Sequence, residues 1–313
     1  MIVTMTPVWR ALATVLGTGA AVAGWATFVE PHAFTLRRFD VPVLPAGSRP
    51  LRVLHLSDLH LTPRQRDKIR WVRELAVLEP DLVVTTGDNL AHQDAVPALL
   101  EAYEPLLSVP GVFVLGSNDY FPPKPKNPLR YFDDSHPRGE DLTPERLPTE
   151  ELVKGFLDAG WLDLDNARQR LDIAGLDLEL VGVDDPHLGY DDYASVAGPA
   201  SPEADLTIGI THAPYQRVLD AMAADGARLI LAGHTHGGQV CVPFTGRALV
   251  TNCDLDPGRA RGLSRWWPGA GSRPSDEAPD GASYLHVSAG LGGSPYTPFR
   301  LACRPEATLL TLR

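Results

Sequence analysis

Cys241, Cys253 and Cys303 are the chain's three cysteines, too few and too widely separated for a disulfide framework or a cysteine-rich zinc site. Basic charge is also scarce. Against 39 Asp and Glu there are 28 Lys and Arg, a formal net charge of -11, which leaves no platform for a polyanion and makes nucleic acid an unexpected partner. Nothing repeats, and 313 residues can bury a substantial core, so one catalytic domain is expected. Only Arg10 precedes the one long uncharged run, so there is no twin-arginine pair.

That run, residues 11–29, approaches the roughly 20 residues needed to cross a bilayer core. It is read as a single-pass N-terminal anchor at the cell membrane, within a segment of anchor or signal over residues 1–30. Two alternatives stay open: a cleaved secretory signal, with Ala21-Val22-Ala23 as the processing site, and a buried soluble helix. Orientation is not set by charge, because Arg37 and Arg38 have Glu30 and Asp40 nearby. Residues 31–50 carry Pro31, Pro42, Pro45 and Pro50 and read as an extended tether to a globular body over residues 51–313.

The body alternates apolar runs with helical periodicity. Residues 51–57, 81–86 and 111–115 read as strands and residues 65–78 and 96–107 as helices between them, the pattern of an α/β fold with parallel strands. Ligand groups of such sheets belong at the carboxyl ends of the strands. There the chain places Asp58-Leu59-His60, Gly87-Asp88-Asn89 and Gly116-Ser117-Asn118-Asp119. Two later strands, residues 205–210 and 229–232, deliver Thr211-His212 and Gly233-His234-Thr235-His236-Gly237. In extended chain, residues i and i+2 project to one side, so His234 and His236 can present two imidazoles to one small region. Alone, a His-x-His or a Gly-Asp-Asn is an ordinary turn; their recurrence at successive strand ends is what points to a site. His55, inside its strand, reads as a packed core histidine.

Elsewhere, residues 121–148 are proline-rich and aperiodic and are expected to form a cap. A helix is expected over residues 150–159, and a hairpin from residues 170–173 to 178–183, closed near Gly175-Leu176-Asp177. Residues 254–282 read as a surface insertion, and residues 284–287 and 307–312 as closing strands.

Asp58, His60, Asp88, Asn118, His212, His234 and His236 mix carboxylate, amide and imidazole donors, which suits Mn, Fe or Zn and exceeds what one ion needs. In order and spacing these motifs resemble the calcineurin-like metallophosphoesterases, and most closely a membrane-associated bacterial branch of that family. The resemblance runs from about Leu51 to the end of the chain. It implies a β-sandwich of two mixed sheets flanked by helices. It also implies two divalent metal ions, one held by Asp58, His60 and His236, the other by Asn118, His212 and His234, with Asp88 bridging. Two such cations clamp phosphoryl oxygens and lower the pKa of a shared water. The implied activity is hydrolysis of a phosphoester or pyrophosphate on a small-molecule or lipid substrate. One departure stands out: the family has Gly-Asn-His-Asp where this chain has Gly116-Ser117-Asn118-Asp119. Either Asn118 shifts to reach the metal or Ser117 takes that place, and the amide oxygen, the better neutral donor, favours Asn118. The acid histidine of the family is missing either way, with His92 and His187 as candidates to replace it. That loss leaves a rival reading, a non-catalytic metal-bound scaffold at the membrane.

Overall fold

The computed structural model describes residues 7–125, 145–271 and 278–313. The chain opens with helix α1 (Pro7–Phe28). Its apolar residues stand clear of the body, with Val15 68% and Phe28 76% exposed, so the alternative of a buried soluble helix does not hold. Strand β1 (Thr35–Val41) follows, inside the expected tether. The tether is therefore extended but not separate from the body, because β1 pairs in parallel with the last strand along its whole length.

Then come β2 (Leu51–Leu56), α2 (Arg66–Glu74), β3 (Leu82–Thr85), α3 (Val96–Tyr103), β4 (Gly111–Phe113) and α4 (Ser117–Tyr120). The expected cap lies outside the described residues over 126–144. Next are α5 (Thr149–Asp158), β5 (Leu162–Asp163), β6 (Ala167–Ile173), β7 (Leu176–Gly182), α6 (Tyr193–Val196), β8 (Leu206–Ile210), α7 (Gln216–Ala224) and β9 (Leu229–Ala232). The chain closes with β10 (Gly262–Trp266), β11 (Ser283–Val287) and β12 (Glu306–Leu312).

One sheet has the order β1-β12-β2-β3-β4-β5 and the other β10-β11-β9-β8-β7-β6, each mixing parallel and antiparallel pairs. Alternation along the strands builds the layers. Val53, Val84 and Val112 meet Leu180, Ile208 and Leu231 between the sheets. Leu54, Leu56 and Phe113 point outward onto Ile69, Val72, Leu99 and Phe156 of the helices, while Val218, Leu219 and Met222 of α7 cover Ile230 and Leu285. A fully buried side chain of this size contributes roughly 1.5–3 kcal/mol. The result is the expected α/β sandwich of two mixed sheets flanked by helices.

Two boundaries differ from the sequence reading. The β6–β7 hairpin turns at Ala174-Gly175, whose φ of 57° and 80° suit a two-residue turn, one residue earlier than expected. Within residues 254–282, β10 is no insertion but an edge strand antiparallel to β11. Trp266 is its anchor: the ring is buried against the α7 layer, and its Nε1 donates to Asp220 Oδ1 at 2.8 Å.

Candidate metal centre

β2 and β3 pair in parallel in one sheet and β8 and β9 in the other, and five of the seven singled-out residues lie just beyond the carboxyl ends of β2, β3 and β9 with left-handed backbones. Asp58 (φ 50°), His60 (41°), Asp88 (53°), His234 (69°) and His236 (50°) all carry a positive φ. Such a conformation costs a residue with a side chain roughly 1–3 kcal/mol and clusters at functional sites. The extended-chain argument for His-x-His is thereby corrected. His234 and His236 do not point to a single spot: His234 Nδ1 lies 3.3 Å from His212 Nε2, whereas the His236 ring lies 4.9 Å from that of His60.

Ligand atoms of Asp58, His60, Asp88 and His236 all fall within 4.8 Å of one another, close enough to hold one ion. Asp88 is central. His60 Nε2 is 3.3 Å from its Oδ2, and His212 Nε2 is 3.5 Å from its Oδ1. The amide of Asn118 donates to Asp88 Oδ1 at 2.6 Å, so Asn118 stands at the cleft on the His212 side. Its Nδ2 donates to Phe121 O at 2.9 Å, which makes Oδ1 the side-chain atom it can offer a cation. Asp119 fixes this corner. Its buried carboxylate accepts from the amides of Asn89 (2.8 Å) and Gly116 (3.0 Å) and ties the two loops together; burial, then Asp88, raises it to about 6.

The residues fit divalent cations. A ring nitrogen of His60 and Nε2 of His234 are buried with no hydrogen-bond partner, a costly state that a cation relieves. His236 Nδ1 donates to Gly292 O at 3.1 Å and His212 Nδ1 to Thr86 O at 2.6 Å, which directs Nε2 of each ring into the cleft. Burial, reinforced by neighbouring imidazoles, holds His234 and His236 well below the ordinary histidine value and therefore neutral, as ligands must be. Burial opposes ionisation of Asp88, but His212 and His60 overcome it and keep the carboxylate charged. Burial likewise opposes charge on His212, yet Asp88, Asp185 and Asp58 raise it to about 9, so a cation taking Nε2 there must displace a proton.

Several residues of the site were not legible in the motifs. Ser57 Oγ donates to Asp58 Oδ2 at 2.6 Å, and Thr86 Oγ1 donates to Ser57 Oγ at 2.7 Å. With its hydrogen so committed, Thr86 accepts from His55 Nε2 (2.9 Å), and His55 Nδ1 then accepts from His286 Nδ1 (2.9 Å). This buried chain crosses from one sheet to the other, with every donor oriented toward Asp58. His55 is the core histidine expected, held neutral by burial and by His286, but it belongs to this chain. The adjacency of Ser57 to Asp58 was the only available signal. His187 lies beside the cleft: its ring is 4.6 Å from that of His234 and its Nδ1 is 3.0 Å from Tyr215 Oη. His92 is instead exposed, with Nδ1 accepting from the amide of Asp94.

Gly233 shows how closely β9 approaches. A Cβ there would fall 1.9 Å from Ser57 Oγ and 2.7 Å from Asp58 Oδ2. Gly233→Ala is therefore expected to cost about 1–3 kcal/mol of stability through overpacking and to loosen metal binding, read by thermal unfolding and metal titration. Unchanged stability and affinity would contradict this placement.

Residues 51–238 match the calcineurin-like phosphoesterase family. The chain is similar to YkuE of Bacillus subtilis, an uncharacterised metallophosphoesterase, at 24% identity over 95% of this chain and 93% of that protein. It is 25% identical to the UDP-2,3-diacylglucosamine pyrophosphatase LpxG of Chlamydia trachomatis, covering 96% of this chain and 95% of that one. To the phosphodiesterase YaeI of Escherichia coli it is also 25% identical, over 92% of each.

Proposed function

Because the chain belongs to the calcineurin-like phosphoesterase family, a family of metal-dependent hydrolases, we propose that it hydrolyses a phosphoester or pyrophosphate carried on a lipid. The observation that carries this reading is the convergence of Asp58, His60, Asp88 and His236 within 4.8 Å, beside His212, His234 and Asn118. Asp58, His60 and His236 would hold one divalent cation and Asn118, His212 and His234 the second, with Asp88 between them. When bound, such a pair supplies charge neutralisation on the phosphoryl oxygens and an acidified water.

The remaining roles fall to the chain itself. Ser57 and the amide of His234 orient the Asp58 carboxylate, and Gly292 O and Thr86 O fix the ring orientations of His236 and His212. In this reading His187, whose ring lies 4.6 Å from that of His234, takes the role of the histidine that the Gly116-Ser117-Asn118-Asp119 sequence lacks and meets a departing oxygen. Diphosphates, with good leaving groups, need such help least. The lipid component draws support from two directions: LpxG is named for a diacylated sugar nucleotide, and α1 is long and apolar enough to cross a bilayer.

The test uses the full chain with Mn. Turnover of an aryl phosphodiester and of a diacyl lipid diphosphate is expected, abolished by chelator and restored by metal, with the protein sedimenting with membranes at high salt. Metal binding without turnover of either substrate would favour the scaffold reading, and a soluble chain shortened at Ala23 would show a cleaved signal.

A further inference from the structure

Large apolar side chains are exposed together beside the end of α1. Phe244 is 108% exposed, with Val242, Leu249, Tyr296 and Phe299 also open to solvent. They lie on two loops, residues 239–249 and 294–301, fastened to each other. The amide of Cys241 donates to Leu301 O (2.9 Å), that of Leu301 to Gln239 O (2.9 Å), and Gln239 Nε2 to Thr297 O (3.0 Å). No charged residue occurs from Gln239 to Gly246 or from Ser288 to Phe299, in a chain of net charge -11. At the tip, Phe244 holds φ at 69°, a genuine outlier for a bulky residue, and so presents its ring outward at a cost in strain. Monomeric proteins rarely leave such a patch uncovered without a use for it.

What covers it is indicated by α1. The amide of Arg300 donates to Ala26 O at 2.8 Å, and Leu301 lines a groove with Gly17, Thr18, Ala21, Val22 and Trp25. Loop 294–301 thus meets α1 at its carboxyl end, where Ala26 is buried, and leaves the helix before it exposed. Trp25 Nε1 donates to Glu30 Oε2 at 2.9 Å and the amide of Cys303 to Glu30 Oε1 at 2.6 Å, which locks this arrangement. A helix that spans a bilayer holds whatever is fastened at its end at the level where that end leaves the hydrocarbon. The same loops begin at the metal cleft. Loop 239–249 follows directly on His236, and Arg300 donates to Gly292 O (2.5 Å), the carbonyl that accepts from His236.

We propose that loops 239–249 and 294–301 form a membrane-seating surface that rests in the headgroup and outer acyl region of a phospholipid bilayer beside α1. The proposal rests on α1 acting as the anchor proposed above. Phe244, Tyr296 and Phe299 supply the amphipathic and apolar bodies that favour this layer. The cleft is thereby held at the membrane surface, where a diphosphate on a lipid can reach it while its acyl chains stay in the bilayer.

The test is collision-accessibility spin labelling of the full chain in phosphatidylcholine and phosphatidylglycerol vesicles. Labels are placed singly by Phe244→Cys, Tyr296→Cys and Glu203→Cys in a Cys253→Ser background; all four positions lie outside the cleft, and Glu203 stands at the opposite end of β8 from His212. The expected result is a ratio of oxygen to aqueous nickel-chelate accessibility severalfold higher at 244 and 296 than at 203. Vesicle-bound protein with 244 and 296 as open to the chelate as 203 would overturn the surface while leaving the anchor and the activity intact. Labels shielded from both reagents would show a second protein copy over the patch and overturn it as well. Protein that does not float with vesicles overturns surface and anchor together, and leaves the phosphoesterase reading standing.

Discussion

Asp88→Ala is expected to lower metal content from about two ions per chain to less than one and turnover by roughly a thousandfold, because one carboxylate serves both halves of the cleft. Its two oxygens are divided between them, Oδ2 facing His60 and Oδ1 facing His212 and the amide of Asn118. Removing the carboxylate deletes a donor from each half and the negative charge that keeps two cations near each other. Asp88→Asn keeps shape and loses charge, so it should retain more metal than the alanine variant. Elemental analysis and rates on one aryl phosphodiester check this, with circular dichroism confirming the fold. Asp88→Ala with two ions and full activity would remove the bridge from the account.

The second large effect separates Asn118 from Ser117. Asn118→Ala leaves the backbone donor to Asp88 in place and deletes only the side chain, whose Nδ2 is engaged by Phe121 O. If Oδ1 serves the cation on the His212 side, affinity for one ion should fall about 10–100-fold and turnover with it. Ser117→Ala should spare both. Were Asn118 filling the acid position, the alanine variant would keep its metals and fail only on poor leaving groups. Metal content of both variants, with rates across aryl phosphodiesters of increasing leaving-group pKa, decides between the two. Full occupancy in Asn118→Ala with depletion in Ser117→Ala reverses the assignment.

How much of this was legible in the sequence depended on the kind of interaction. The strands leading to Asp58, Asp88, His212 and His234 are short apolar runs punctuated by glycine or a turn, and the sandwich buries them on both faces, so they stood out. β1 did not, because Arg37 and Arg38 interrupt its apolar residues; it is an edge strand, and those two side chains lie partly or fully exposed. β10 was hidden in the same way, by a setting of Gly, Pro and Arg, although Trp266 buries itself on the α7 layer. The left-handed backbones of five site residues have no signature in residues that are not glycine. Nor could the line from His286 through His55, Thr86 and Ser57 to Asp58 be read, since it joins residues 231 apart across two sheets. The exposed ring of Phe244 is, in the sequence, like any other apolar residue, because what sets it apart is the fastening of its loop to residues 294–301 and, through Arg300, to the end of α1.

The most direct test of the central claim is anomalous diffraction from crystals of the full chain grown with Mn. Two peaks are expected about 3.5–4 Å apart, one among Asp58, His60 and His236, the other among Asn118, His212 and His234, with Asp88 touching both. A single peak, or two that leave Asp88 without contact to either, would contradict it.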